Sequence, residues 1–446
     1  MSKRRNRSRS SRMAEPLELE ITAMSSEGRG IAEHNGKKVF VLGALPGETV
    51  MAQVYKQQSR FMEAKTNSVM KASEKRVDPI CEHFGECGGC QLQHMSVTDQ
   101  VSHKQAELQK MLAHLNIQPN VWAAPITGPT EGYRYKARIG VRYVPKKGGT
   151  LVGFRESHSN KIVEMNTCAV LHPKVGHNIE ELKTLINDLS IKDQVPQIEI
   201  AVGGDEVALV FRHLEPFAET DLIKIQAFCE VHGLSFYCQP KGPDTVHKLW
   251  PKSDINLSYN LEQFNIKMDF HPLDFTQVNP DMNQKMIAQA IDWLDITQED
   301  SILDLFCGLG NFTLPLAKFA GSVVGVEGEM RMVNKAKANA KNNEIHNTDF
   351  YAANLFENFD KAEWLAKPYS KLLLDPPRSG AAEVIAKIEA FDVERILYVS
   401  CQTSTFVRDA AQLVQEKGYR LEKIGIMDMF PHTKHVETMG LFIRDK

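Results

Sequence analysis

From residue 275 onward, short apolar runs alternate with longer stretches whose apolar positions recur every three or four residues. The runs predict strands at 301–306, 322–327, 349–352, 370–374 and 395–400, and the periodic stretches predict helices at 281–295, 311–319 and 329–342. Such alternation indicates an α/β domain built on a doubly wound, mainly parallel sheet. Residues 16–70 carry a different pattern. LELEITAMSSEGRGIA, KKVFVLGALPGETVMAQVYK and FMEAKTNSVM are short strands separated by Gly turns, which predicts an OB-like β-barrel. Between these regions the pattern is mixed. Residues 96–116 have helical spacing at Val101, Leu108, Met111, Leu112 and Leu115. Residues 133–143 alternate strictly, with Tyr133, Tyr135, Ala137, Ile139, Val141 and Tyr143 on one face. Arg134, Lys136, Arg138 and Arg142 fall on the other, a cationic face able to meet phosphates or a base.

These patterns divide the chain into a tail (1–14), a barrel (15–75), a central α/β domain (76–272) and a doubly wound domain (273–446). The length of 446 residues exceeds one core and fits this count. Composition is that of a soluble globular protein, and no apolar stretch approaches a bilayer span. No apolar segment follows the basic N-terminus, so it does not read as a secretory signal, and a cytoplasmic location is expected. Net charge is only −3, yet the first twelve residues hold six basic side chains and no acid. That tail suits nucleic-acid phosphates, or simply solvates the chain.

Candidate chemistry lies at the strand ends. S-I-L-D-L-F-C-G-L-G-N-F-T at 301–313 is a strand, a Gly turn and a helix, in which Gly308 and Gly310 let a ligand approach the backbone. The next strand ends in Glu327, placed to accept the hydroxyls of a ribose. Asn354 and Asp375 occupy the next two strand ends. The glycines lack full G-x-G-x-x-G spacing, which favours S-adenosylmethionine over a nicotinamide dinucleotide.

Eight cysteines in a chain without disulfide context suggest metal or catalysis. Cys81, Cys87 and Cys90 form C-x5-C-x2-C with two glycines between the last pair. Cys168 is the best candidate for a fourth thiolate, and Cys229 and Cys238 read as buried small hydrophobes. Four thiolates fit zinc or an iron–sulfur cluster, and spacing does not separate them. His83 and His94 are further candidates, read first as surface or core histidines.

With these residues in view, the chain resembles the RNA uracil-5 methyltransferases that use S-adenosylmethionine, and within them the branch acting on 23S rRNA. V-F-V-x-G-A-L-P-G-E resembles a TRAM domain, an RNA-binding OB-like barrel. C-x5-C-G-G-C-x-x-Q-H with Cys168 resembles the family's [4Fe-4S] ligands. F-x-Q-V-N at 275–279, D-L-F-C-G-x-G-N-F at 304–312, D-P-P-R at 375–378 and M-F-P-H-T-x-H-V-E at 429–437 are further signatures. The resemblance implies a C-terminal Rossmann-like methyltransferase domain and a central domain carrying an iron–sulfur cluster. It implies Gln277, Phe306, Gly308, Asn311, Glu327, Asn354 and Asp375 as cofactor contacts, Cys401 as nucleophile and Glu437 as base. Arg138 and Phe275 are implied at the substrate, 23S rRNA is the implied partner, and a monomer is expected. In this family the 96–116 helix is expected against the catalytic domain. One departure stands out: the usual S-C-N-P after the fifth strand is S-C-Q-T here, so Gln402 and Thr403 replace Asn-Pro and their loop loses a rigid ring. The competing readings are the same chemistry on another uridine, in tRNA or at a second 23S site, and a non-catalytic RNA-binding iron–sulfur protein.

Overall fold

The structure, a computed structural model, describes residues 15–252 and 257–444; the basic tail expected at 1–14 lies outside the described residues. The chain divides into two compact units, one running to Gln100 and including His432–Lys434, the other comprising Val101–Pro431 and the chain from His435.

The first unit carries a six-stranded sheet of β1 (Leu17–Glu20), β2 (Ala23–Met24), β3 (Gly30–His34), β4 (Lys37–Leu42), β5 (Thr49–Gln57) and β6 (Phe61–Lys71), ordered β1-β5-β6-β4-β3-β2. Only β4 and β6 pair in parallel. The sheet rolls up: Thr22, between β1 and β2, donates its N–H to Ile31 of β3 at 2.9 Å. Alternate residues, among them Leu19, Val39, Val41, Val50 and Ala64, point into a common apolar core. This is the barrel that the strand pattern predicts.

The second unit begins within α1 (Val97–His114), whose Val101, Leu108 and Leu112 join Leu303 and Leu305 in one core. The helix therefore shares a core with the sheet that contains Leu303 and Leu305. After β7 (Val121–Trp122), the central region forms a six-stranded sheet ordered β13-β12-β11-β10-β8-β9. Its members are β8 (Lys136–Val144), β9 (Gly149–Gly153), β10 (Gln197–Gly203), β11 (Glu206–Arg212), β12 (Ser235–Gln239) and β13 (His247–Trp250). The short α2 (Pro173–Gly176) precedes α3 (Ile179–Asn187), which packs on β9, and α4 (Glu219–His232) packs on β12. A hairpin of β14 (Leu257–Leu261) and β15 (Ile266–Phe270) leads into α5 (Pro280–Leu294). Asn279 caps α5 by accepting the Met282 N–H at 3.3 Å, and Pro280 takes the first helical position.

The C-terminal sheet has eight strands ordered β18-β17-β16-β19-β20-β22-β21-β7. β16 (Ser301–Leu305), β17 (Ser322–Glu327), β18 (Thr348–Ala352), β19 (Lys371–Leu374) and β20 (Arg395–Ser400) are parallel. Their crossovers include α6 (Thr313–Ala317), α7 (Met330–Asn342) and α8 (Ala382–Ala386). After α9 (Thr403–Gln415) come β21 (Arg420–Met427) and β22 (Glu437–Ile443); β22 inserts antiparallel between β20 and β21, and β7 pairs in parallel with β21 at the edge. The five parallel strands lie where the apolar runs place them. The 311–319 helix is shorter, because its first residues belong to the Gly turn. Among the described residues no helix is long and apolar enough to cross a membrane.

Candidate active site

The turn leaving β16 is built from left-handed residues. Phe306, Gly308 and Gly310 have φ of 67°, 57° and 93°. For Phe306 this is a strained conformation, held because Phe306 and Cys307 donate their N–H groups to Val326 O at 2.9 and 3.1 Å. A Cβ on Gly308 would meet nothing within 4 Å, so the turn leaves an open face. Glu327, ending β17, locks into the same turn. Its Oε2 accepts the Gly308 N–H at 3.0 Å, and its Oε1 accepts those of Gly328 and Glu329 at 2.7 and 3.2 Å. Under the turn Asp304 is fully buried. Thr313 donates to its Oδ2 at 2.5 Å, while Oδ1 has no partner. Burial pushes this carboxyl up to about 8, helped by the charges of Asp375 and Glu327. Burial also raises the Cys307 thiol well above its ordinary range, which makes it an inert packing residue. A fixed carboxylate beside an open, glycine-lined turn suits a nucleoside with free ribose hydroxyls, so these residues fit S-adenosylmethionine.

The remaining sequence-predicted cofactor contacts are placed less uniformly. Exposed Asn354 follows β18, with its Oδ1 accepting the Phe356 N–H at 3.1 Å, and the Phe356 ring lies 5.7 Å from that of Phe306. Gln277 is half-buried in the segment before α5. Asn311 turns inward: its Oδ1 accepts from Tyr259 Oη at 2.8 Å and Asn283 Nδ2 at 2.9 Å, and its own Nδ2 donates back to Asn283 at 2.9 Å. Its side chain therefore ties the turn to α5 and the β14–β15 hairpin.

Cys401 and Glu437 come together at the end of the β20–β22 pair, where Ser400 lies opposite Thr438. Burial pushes the Cys401 thiol up to about 11; the charges of Glu437 and Asp375 add to this, and the Arg378 guanidinium, hydrogen-bonded to the thiol, opposes it. Burial raises Glu437 to about 8, reinforced by Asp375 and opposed by Arg378. Burial raises Asp375 to about 7. The start of α9 immediately after Gln402 also favours a thiolate at Cys401 through the positive end of the helix dipole. Arg378 is the residue that sequence reasoning missed, although it stands in the D-P-P-R motif; as an exposed cation it gave no separate signal.

The D-P-P-R loop is pinned to α9. Asp409 Oδ2 accepts the Ala381 N–H at 2.8 Å and the Tyr398 hydroxyl at 2.6 Å, and Arg408 donates to Ser379 O at 3.0 Å. Gly380 makes this contact possible. Its φ is +84°, and a Cβ would approach Arg408 and Asp409 side-chain atoms at 2.4 and 2.5 Å. At the S-C-Q-T departure Thr403 takes the first position of α9, where Pro is well tolerated. The loop is braced by hydrogen bonds instead: Gln402 N–H to Ser400 Oγ at 3.2 Å, and Thr405 Oγ1 to Gln402 O at 3.0 Å. The Gln402 amide donates to Ser404 at 3.0 Å.

On β8, Ala137, Ile139 and Val141 are buried while Arg138 and Arg142 are exposed, as the alternation predicts. Lys136 departs from it: its ammonium is drawn into hydrogen bonds with Pro272 O and with Asp274 O at 2.8 Å, and burial lowers it to about 8. Tyr133 and Tyr135 precede the strand. Arg138 Nη2 donates to Glu199 across the sheet at 2.8 Å, and Phe275 is 73% exposed.

In the first unit, the loop bearing Cys81, Cys87 and Cys90 folds on itself. Cys87 Sγ accepts the Gly89 N–H at 3.4 Å, and Gln93 accepts the Cys81 N–H at 3.1 Å. His94 is fully buried, its ring 5.2 Å from that of Phe84, and burial lowers it to about 4, so it is a neutral core histidine. Cys168 is buried in the second unit. Among the described residues, no three His, Cys, Asp or Glu side chains are gathered so as to hold a metal ion. The expectation of a metal-bearing central domain thus has no assembled ligand set behind it, and no chemical step below runs through a cluster. Cys229 and Cys238 are buried and their thiols raised by burial, as expected of packing residues.

Residues 96–446 match the tRNA (Uracil-5-)-methyltransferase family, and residues 15–66 match the TRAM domain. A protein of Francisella tularensis subsp. novicida named 23S rRNA (uracil(1939)-C(5))-methyltransferase RlmD is 50% identical over 433 residues, 96% of each chain. A protein of the same name from Alcanivorax borkumensis is 47% identical over 97% of each chain. The crystal structure of Pyrococcus abyssi tRNA (uracil-54, C5)-methyltransferase, in complex with S-adenosyl-L-homocysteine, superposes with a TM-score of 0.73 at 22% identity. It covers 96% of this chain and 100% of that one, and it shows the same fold.

Proposed function

Because the chain belongs to the tRNA (Uracil-5-)-methyltransferase family, we propose that it methylates C5 of a uridine in 23S rRNA, giving 5-methyluridine. The observation that carries this reading is the pairing of a thiol with a proton acceptor at the strand end beside a nucleoside-binding turn. C5 of uracil is a poor nucleophile. Addition of the Cys401 thiolate to C6 makes the ring an enolate with carbanion character at C5. Bound S-adenosylmethionine supplies an electrophilic methyl group on a sulfonium. Glu437 then takes the C5 proton, and elimination across C5–C6 expels the thiolate. With its value raised to about 8, Glu437 acts as base through its ionised fraction, which is a stronger proton acceptor than an ordinary carboxylate and grows as pH rises toward 8. Arg378 holds the sulfur and favours its anionic form, offsetting part of the burial cost. Glu327 and the 306–310 turn hold the donor, and Asn311 fixes that turn from behind. The uridine leaves its stack to reach a recessed thiol, with Phe275 and Arg138 assigned to the RNA.

The 23S preference rests on the named relatives and on the TRAM match, which supplies an RNA-binding barrel. A cytoplasmic location is part of the same reading, since ribosomal RNA is the substrate, and the monomer expected from the sequence belongs to it as well. Tritium transfer from methyl-labelled S-adenosylmethionine to unmodified 23S fragments, with Cys401→Ala as control, tests it. Transfer to tRNA alone, or none at all, rejects it.

A [4Fe-4S] cluster on Cys81, Cys87, Cys90 and Cys168 belongs to this proposal on the strength of sequence spacing. The methyl transfer moves no net electrons, so the cluster's role in this reading is to organise the chain. Acid-labile sulfide and iron in the purified protein support it, and stoichiometric zinc in a colourless protein rejects it.

A further inference from the structure

The segment that carries Phe275 and Gln277 stands on one carboxylate. The Asp274 side chain is 0% exposed, yet it receives two cations from α7, Arg331 and Lys335, the latter at 2.5 Å. The His271 N–H donates to it at 2.6 Å, and Lys136 reaches from β8 to its backbone carbonyl. Burial opposes ionisation of Asp274, but these donors together hold its carboxyl below the usual range.

The layering of charge here is unusual for a surface. Asp274 and Glu199 lie beneath, with side chains 0% and 11% exposed, whereas their partners Arg331 and Arg138 are 50% and 65% exposed. Ordinary surface ion pairs expose both partners and do little. Here each carboxylate holds a guanidinium from below and leaves its outer edge toward solvent. Glu329 also lies 3.8 Å from Arg331, but it is 69% exposed and well solvated. Next to Asp274 in the chain stands Phe275, an aromatic residue 73% exposed. Forked donors beside an open aromatic face match a phosphate and an unstacked base of single-stranded RNA.

We propose that Arg331 and Lys335, seated on Asp274, bind a backbone phosphate of the RNA next to the nucleotide entering the pocket, with Phe275 stacking a flanking base. This rests on the RNA methylation proposed above. It adds α7, a helix of the donor-binding half, to the RNA surface.

The test uses the full-length protein with Arg331→Gln and Lys335→Gln, since glutamine keeps a donor for Asp274 and leaves no unpaired buried carboxylate. Affinity for a 23S oligonucleotide containing the target uridine is measured across a salt series, and S-adenosylmethionine affinity by calorimetry. For Arg331→Gln, RNA binding is expected to weaken about 5- to 20-fold near 0.1 M salt. The log–log salt slope should shrink by about 0.7, the single-strand value for one lost phosphate contact. Phe275→Ala should weaken RNA with the slope unchanged, and donor affinity should stay put in all three. Unchanged RNA affinity and slope in both glutamine variants would overturn the proposal. So would a selective loss of donor affinity, which would mean that α7 holds the donor's carboxylate. A native protein that binds this RNA with the expected slopes but transfers no methyl would fail the functional reading alone.

Discussion

Cys401 and Glu437 face one another across the antiparallel β20–β22 pair, one residue beyond the opposed Ser400 and Thr438. They stand thirty-six positions apart in the chain, and the antiparallel return of β22 brings them together. The register matters because a one-residue slip would turn either side chain to the other face of the sheet. Both groups are raised by burial and by the charge of Asp375, and Cys401 also by that of Glu437, so the resting pair is a neutral thiol beside a largely neutral acid at neutral pH.

This pairing separates two steps that a single assay would merge. Glu437→Gln keeps the thiol and removes the proton acceptor. It should lower turnover by about 10²- to 10⁴-fold, the usual worth of a positioned base, while the Cys–C6 adduct accumulates. Denaturing electrophoresis should show protein shifted by the mass of the RNA fragment. Cys401→Ala should give neither product nor adduct, and a shifted band in that variant would assign the nucleophile elsewhere.

Arg378 acts on the sulfur directly, so its removal should be legible in thiol chemistry without any RNA. Arg378→Ala should slow alkylation of Cys401 by iodoacetamide at pH 8 and move the alkylation profile to higher pH. Arg378→Lys should recover part of the shift, because the charge remains while the forked geometry is lost. An unchanged profile would leave Arg378 as a loop residue only.

The parallel sheet was legible because each strand is a continuous apolar run, as burial on both faces requires. The strand ends were legible because polar residues there break those runs. Three features were hidden. The β20–β22 register depends on a long antiparallel return that local periodicity does not encode. Asn311 carries a cofactor signature, yet its amide is spent on Asn283 and Tyr259, a partnership over 28 and 52 residues. Lys136 fits a solvated cationic face by alternation, but carbonyls at 272 and 274 pull its ammonium inward. In each case the deciding partner is distant in sequence, beyond the reach of a local pattern.

Asp304, Asp375 and Glu437 set a pH dependence of stability opposite to that of most carboxylates. Their folded-state values are raised to about 8, 7 and 8 from 3.8, 3.8 and 4.5. The folded chain therefore holds protons that the unfolded chain has released, so stability falls as pH rises from about 4 to about 8 and levels off above. Activity runs the other way, because Glu437 accepts a proton only as the carboxylate, and kcat should rise through about pH 8. Urea unfolding at pH 6 and pH 8.5 checks the first, and Glu437→Gln should flatten part of that difference.

Gly380→Ala should cost both stability and activity, since its backbone is left-handed and a Cβ would displace the Arg408 and Asp409 side chains that pin the loop. A loop loosened from α9 would hold Arg378 less firmly against the thiol. A thermal midpoint lowered together with a slower alkylation of Cys401 would show the linkage; a lowered midpoint with normal alkylation would show that the loop shifts without moving Arg378.

The buried pair of Lys104 and Asp428 holds the chain just before the H-V-E segment. Lys104 Nζ donates to Asp428 at 2.6 Å and to Phe430 O at 3.3 Å, with both side chains almost wholly buried. Burial depresses the lysine and Asp428 restores part of its charge. Removing one partner leaves an uncompensated buried charge, so Lys104→Met should cost about 3–5 kcal/mol in urea unfolding. The double change Lys104→Met/Asp428→Leu removes both charges and should recover much of that loss, because a well-packed apolar pair replaces a buried ion pair at little cost. If the double variant regains stability but not methyl transfer, the pair's task is to aim residues 428–431, and with them the strand that begins at Glu437. If it regains both, the pair is only a structural tie.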